Sequence, residues 1–159
     1  MWKKSKSKVT KEELKNHIAT VLPTAILDET GEWLNISIEA IDWLPLATEL
    51  RDNHFLDFDF LFCLTAVDWK THLSVVYHLR SIKLEHIVVV KAKCDRAKPD
   101  IESVVKIWKT AELNEREAYD LMGINFLNHP DLRRLFLNDE WTGYPLRKDY
   151  EDPVNMIKL

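Results

Sequence analysis

Two neighbouring stretches of strict alternation constrain this chain more than any other feature. In Ser74–Arg80, Val75, Tyr77 and Leu79 share one face. In Leu84–Lys93, Leu84, Val88, Val90 and Ala92 share a face with His86. A period of two sends alternate side chains to opposite sides of a strand, so the pair reads as a β-hairpin with one apolar face. Parity then sets the register. Pairing Leu79 with Leu84 joins the two apolar sets and leaves Lys91 and Lys93 outside, whereas a three-residue loop would turn Glu85, Lys91 and Lys93 inward. In that register His78 and His86 lie on opposite faces and cannot share a metal ion.

The elements around this hairpin follow from local signals. Thr10–Leu22 reads as a helix, with Thr10 and Glu13 spaced as a capping box and Pro23 ending it. Ala25–Asp28 and Trp33–Glu39 read as a first hairpin, in which Leu34, Ile36 and Ile38 face inward. Asp42 is expected to cap a second helix to about Asn53, with Pro45 in its first turn. Phe58–Trp69 is apolar without a helical stripe and reads as a mostly buried strand. Thr110–Met122 reads as a helix capped by Thr110 and closed by Gly123. Glu115 falls about 40° from Ala111 on its wheel, beside the apolar stripe, where a carboxylate is desolvated unless a cation meets it.

Composition closes off several chemistries. The chain has 159 residues, 46% of them apolar and 30% charged, enough for one domain with a real core. Its three glycines (Gly31, Gly123, Gly143) exclude a Gly-rich phosphate loop. Its two cysteines, Cys63 and Cys94, are too few for an iron–sulfur cluster and fit a reducing compartment. The six histidines show no metal-ligand spacing. The net charge of −4 argues against nucleic acid as the main partner. That charge is uneven: residues 1–15 carry six lysines and two glutamates. Residues 1–9 therefore read as a basic flexible tail, either solvated or in weak contact with an anionic membrane surface. No signal peptide or spanning helix is expected, which points to a cytosolic or peripheral protein.

Beyond Asn125 periodicity disappears. Residues 125–159 contain Pro130, Pro145 and Pro153, five aromatics, five positive and six negative charges. Disordered tails lack aromatics, so this stretch reads as an extended arm lying either on another protein or back on its own domain, residues 10–124. Its length without regular structure tilts the expectation toward a partner.

The arm and the helix before it carry an ordered series: Glu115, Arg116, Glu117, Asp120, Gly123, Phe126, His129, Pro130, Asp131, Leu132, Arg133 and Arg134, then Trp141, Pro145, Leu146, Arg147, Lys148, Asp149 and Tyr150. This series closely resembles the signature of the 30-kDa subunit family of respiratory complex I, the C-type subunits of bacterial NADH:quinone oxidoreductase. Leu64–Trp69 and Ser103–Trp108 resemble two further family segments. Departures are small: Leu113 stands where the family often has tryptophan, Trp69 where it has tyrosine, and Asn128 where it often has glycine.

The resemblance implies a supporting role rather than a catalytic one. It implies a two-layer α+β domain with helices on one mixed, mostly antiparallel sheet of about five strands, followed by the extended arm. It implies no catalytic, cofactor or metal site in this chain, with NADH, FMN, iron–sulfur clusters and quinone held elsewhere in the complex. Partners would be the quinone-site large subunit and the terminal-cluster subunit, at the cytoplasmic face of the cell membrane, with no direct membrane insertion. On this reading Arg133, Arg134, Arg147 and Lys148 pair with a partner's carboxylates, while Trp141, Tyr144 and Pro145 anchor the arm. Glu115, Glu117 and Asp120 hold its start, through Arg133 or Arg134. Arg147→Ala is then expected to weaken assembly without changing the melting temperature of the domain. Competing readings are the equivalent subunit of an energy-converting hydrogenase or other quinone-linked dehydrogenase, a small RNA-binding module, and a hydrolase using Glu115 or Asp120.

Overall fold

A computed structural model describes residues 9–152. The basic tail lies almost wholly outside the described residues. Helix α1 (Lys11–Val21) begins with the expected capping box: the Thr10 hydroxyl accepts from the Glu13 N–H, and the Glu13 carboxylate accepts from the Thr10 N–H at 2.8 Å. Strands β1 (Ile26–Asp28) and β2 (Leu34–Glu39) form the first hairpin, with Leu27 opposite Ile36. A 3-10 turn at Ala40–Asp42 leads into α2 (Trp43–Asp52). Then come β3 (Phe60–Asp68), β4 (Leu73–Arg80) and β5 (Ile87–Cys94), the short β6 (Asp100–Glu102), α3 (Ala111–Met122) and the short β7 (Asn125–Leu127).

The sheet order is β1-β2-β5-β4-β3. Only β2 and β5 run parallel, so the five-stranded sheet is mixed and mostly antiparallel. The inward rows are those the alternation selects: Leu34, Ile36 and Ile38, then Val75, Tyr77 and Leu79, then Val88, Val90 and Ala92, all buried with Leu14, Ile18, Trp43 and Leu46 from the helices. Trp43 stacks on Tyr77 with ring centroids 3.9 Å apart and lies 6.2 Å from Trp108, which fills the middle of this layer. Val76 and Val89 point to the other side and lie outside this core cluster.

Four local expectations are corrected. Leu79 pairs with Val88 rather than Leu84. The parity is right and the loop is longer, because Leu84 and His86 are buried plugs at the end of the core, the His86 ring contacting the Leu56 carbonyl at 2.6 Å. The strand at 58–69 is half exposed, not mostly buried, because β3 is an edge strand with one open face; Phe60 and Phe62 sit there. Neither Asp42 nor Thr110 caps its helix through its side chain. Both have helical backbone, which aims the side chain away from the first-turn N–H groups. The Thr110 hydroxyl instead donates to the Leu61 carbonyl at 2.8 Å. The parallel pair β6–β7, with Ile101 opposite Phe126, has no alternation long enough to be read from sequence.

Candidate functional site

The signature residues converge where α3 ends and the C-terminal segment begins. Gly123 closes α3 with φ +71°, a left-handed conformation that favours glycine. There is a second reason for glycine: an added Cβ would fall 2.5 Å from the Tyr144 ring. Tyr144 is held in turn by two guanidinium groups, Arg147 at 4.8 Å and Arg134 at 5.7 Å from its ring centroid. Arg147 also donates to the carbonyls of Met122 at 2.8 Å and Gly123 at 3.4 Å, placing a cation on the negative end of α3.

Asp120 is fully buried and fully used. One of its oxygens accepts the successive N–H groups of Leu135, Phe136 and Leu137 at 3.0, 2.7 and 3.0 Å; the other accepts from Arg134 at 2.9 Å. Burial pushes its pKa up, but the hydrogen bonds from Phe136, Leu137, Arg134 and Leu135 outweigh that and leave it below the usual carboxylate range. Arg134 extends on to the carbonyls of Trp141 and Gly143 at 2.9 and 3.4 Å. Arg116 donates to the carbonyls of Arg133 and Arg134 at 3.2 and 3.0 Å. The segment is therefore fastened by side chains reaching its backbone, which is how irregular chain satisfies its polar groups.

Glu115 is the opposite case. It is fully buried, and one oxygen accepts the Val104 N–H at 2.8 Å while the other has no hydrogen-bond partner. His129 lies 3.9 Å away and its Nε2 is within 3.1 Å of the Glu112 carbonyl instead. Desolvation raises the Glu115 pKa to about 7, against the opposing hydrogen bonds from Ser103 and Val104. Both carboxylates are fully buried.

Arg134 and Arg147 engage their own chain because α3 presents a carboxylate and bare carbonyls within their reach, and the half-buried Tyr144 packs its ring against Gly123. Asp120 does pair with Arg134, as expected. Arg133 pairs with Asp131 at 2.9 Å on the surface. Lys148 lends its N–H to Asp68 at 2.9 Å; its exposed side chain and that of Glu117 are in no ion pair among the described residues. Pro130 and Pro145 lie in the turns of this segment, and the Trp141 indole N–H has no hydrogen-bond acceptor among the described residues. Sequence reasoning missed Arg96, which bridges Asp68 and Asp149. It sits in a short polar turn with no periodicity to single it out. Among the described residues no group of three or more His, Cys, Asp or Glu is arranged to hold a metal ion, and no helix is long and apolar enough to cross a membrane.

Residues 36–154 match the family described as the respiratory-chain NADH dehydrogenase 30-kDa subunit. The chain belongs to that family. Its relatives include the NADH-quinone oxidoreductase C/D subunit of Phocaeicola vulgatus, 53% identical over 103 residues, 64% of this chain and 20% of that protein. The C-type subunit of the same enzyme from Chloroherpeton thalassium is 44% identical over 72% of this chain and 49% of its own length; that from Chlorobium phaeobacteroides is 42% identical over 72% and 70%. The chain thus spans a fifth of the first relative and about half of the second. Among solved structures, a trypsin-resistant fragment of Nqo5 has the same fold, with TM-score 0.67 and 24% identity over 77% of this chain and all of the fragment. A chain of the membrane-bound sulfane sulfur reductase, an archaeal respiratory membrane complex, aligns with TM-score 0.75 and 26% identity over 88% of this chain and 85% of that one.

Proposed function

We propose that this chain is a non-catalytic structural and assembly subunit of the hydrophilic arm of a proton-translocating NADH:quinone oxidoreductase. The observation that carries the reading is the family match across residues 36–154, which includes the whole fastened segment. The fastening suits the role. Side chains of α3 and the segment hold one another rigid, so the chain offers a preformed surface instead of an arm that must be ordered on binding. Around it Phe136, Leu146 and Leu113 remain exposed, at 64%, 59% and 57%. Scattered exposed apolar groups of this size beside a rigid polar rim suit an interface between subunits. The partners would be the quinone-site large subunit and the terminal-cluster subunit, on the cytoplasmic side of the membrane. NADH, FMN, clusters and quinone would be bound by other chains.

A second reading, the equivalent subunit of a related membrane complex with another electron donor or acceptor, is favoured by the likeness to the sulfane sulfur reductase chain. A tagged pull-down from detergent-solubilised membranes, assayed for NADH:quinone activity and iron, separates the two. Both together support the first reading; iron and membrane subunits without NADH oxidation support the second; a soluble particle with neither overturns both.

A further inference from the structure

β3 is the last strand of the sheet and pairs with β4 alone. Its nine residues, FLFCLTAVD, include no Lys, Pro or Gly, and their single charge, Asp68, is at the end and already bound to Arg96. Folded proteins protect long edges by shortness, by Lys or Pro, by bulges or by a cover, because a bare edge is a template for another strand. The opposite edge follows that rule, since β1 has only three residues. β3 breaks it. Its bulge lies between Leu61 and Cys63, so Leu64–Asp68 keep an unbroken register with Leu73–Tyr77.

Both sides of this edge are apolar. On the open face Phe62 stands 6.2 Å from Phe60, 5.7 Å from His78 and 6.4 Å from Trp33, and both phenylalanines are more than a third exposed. On the helix side a shallow groove runs between β3 and α3, lined by Leu64, Ala66, Leu121 and Leu146, with Glu117 on its wall. Glu117, on that wall, and the exposed Lys148 side chain are the signature charges whose side chains have neither an ion pair nor a hydrogen bond among the described residues. Every other charged member of the signature is engaged within the chain.

We infer that the free edge of β3 receives an extended segment of a neighbouring subunit as a sixth strand. The segment is apolar on both faces, to cover Phe62 on one side and Leu146 on the other, and carries a Lys or Arg that reaches Glu117. Main-chain hydrogen bonds supply the attachment and the Glu117 contact its register. This rests on the assembly role proposed above.

The test places a photo-reactive benzoylphenylalanine at exposed Thr65 of the full chain and purifies the tagged NADH-oxidising particle before irradiation. Amide exchange of β3 is compared between the particle and the free chain. The expected result is a crosslink to one apolar, Lys- or Arg-containing segment of another subunit, with edge amides slowed roughly tenfold or more in the particle. Thr65→Lys, which leaves the melting temperature of the free chain unchanged, is expected to drop out of the particle. A chain present in the particle with no crosslink from residue 65 and unchanged exchange overturns the inference and leaves the assembly role standing. A crosslink between two copies of this chain also overturns it. Absence of the chain from any NADH-oxidising particle overturns both.

Discussion

Asp68 and Asp149, one at the end of β3 and the other in the C-terminal segment, share the guanidinium of Arg96. The contacts are 2.9 Å to Asp68 and 2.6 Å to Asp149. Asp68 is buried and also accepts the N–H groups of Lys70 and Lys148, so it ties the β3–β4 turn, the turn after β5 and the segment to one point. The Arg96 hydrogen bonds hold its pKa well below the usual carboxylate range. Arg96 keeps Asp149 when Asp68 is replaced, so the loss lies in the hydrogen bonds from Arg96, Lys70 and Lys148 that an asparagine cannot all accept, and Asp68→Asn is expected to lower unfolding stability by about 1–3 kcal/mol in urea titrations at neutral pH. A depressed carboxylate stabilises the fold above its unfolded pKa and loses that contribution as pH falls through the folded value. Stability of the natural chain should therefore fall more steeply on acidification than that of Asp68→Asn. Equal acid limbs would mean that Asp68 carries no such charge-dependent contribution.

Gly123→Ala tests the joint between α3 and the segment. The left-handed backbone alone costs an alanine roughly 1–2 kcal/mol, and the methyl group must also displace the Tyr144 ring from its contacts with Arg134 and Arg147. The expected outcome is lower stability together with faster tryptic cleavage at Arg147 or Lys148, reporting release of the segment. Combined with Tyr144→Ala the loss should be smaller than the sum of the two, since the ring can be displaced only once. Strict additivity would mean that the clash contributes nothing.

The sheet is legible in the sequence because alternation is a local signal with a global consequence. The odd–even parity of Val75–Leu79 against Val88–Ala92 sorts inside from outside, even though the loop is longer than the parity alone requires. The capping box at Thr10 is legible because the whole device lies within four residues. What stays hidden depends on contacts distant in sequence. The pairing of Asp120 with Arg133 or Arg134 is within reach of the resemblance, but nothing near Arg134 reveals that three N–H groups converge on that same carboxylate. Charges on an aperiodic stretch look alike whether they face a partner or their own domain, and only the fold separates Arg147 from Lys148.

Arg147→Ala makes that separation measurable. The guanidinium closes the end of α3 and packs on Tyr144, contributions of about 1–2 kcal/mol together. The melting temperature of the free chain is expected to fall by roughly 4 °C. An unchanged melting temperature with lost assembly would restore the partner-facing role that the sequence suggests. Lys148→Ala, whose side chain is exposed, is expected to leave the melting temperature where it is.

Glu115 sets the pH profile near neutrality. Its folded pKa of about 7 lies above the ordinary glutamate value of 4.5, so the fold prefers the protonated form. Between these values the native state keeps a proton that the unfolded chain has released, and stability falls as pH rises. Below pH 4.5 both states are protonated; above 7 the full penalty, about 3 kcal/mol from the two pKa values, is in place. Glu115→Gln preserves an oxygen for the Val104 N–H and carries no charge. The variant is therefore expected to match the natural chain near pH 4 and to exceed it by as much as that penalty at pH 8, as measured by urea unfolding across the range. If the two profiles run parallel from pH 4 to 8, Glu115 gains a compensating proton donor on ionisation, and His129, 3.9 Å away, is the group positioned to supply it.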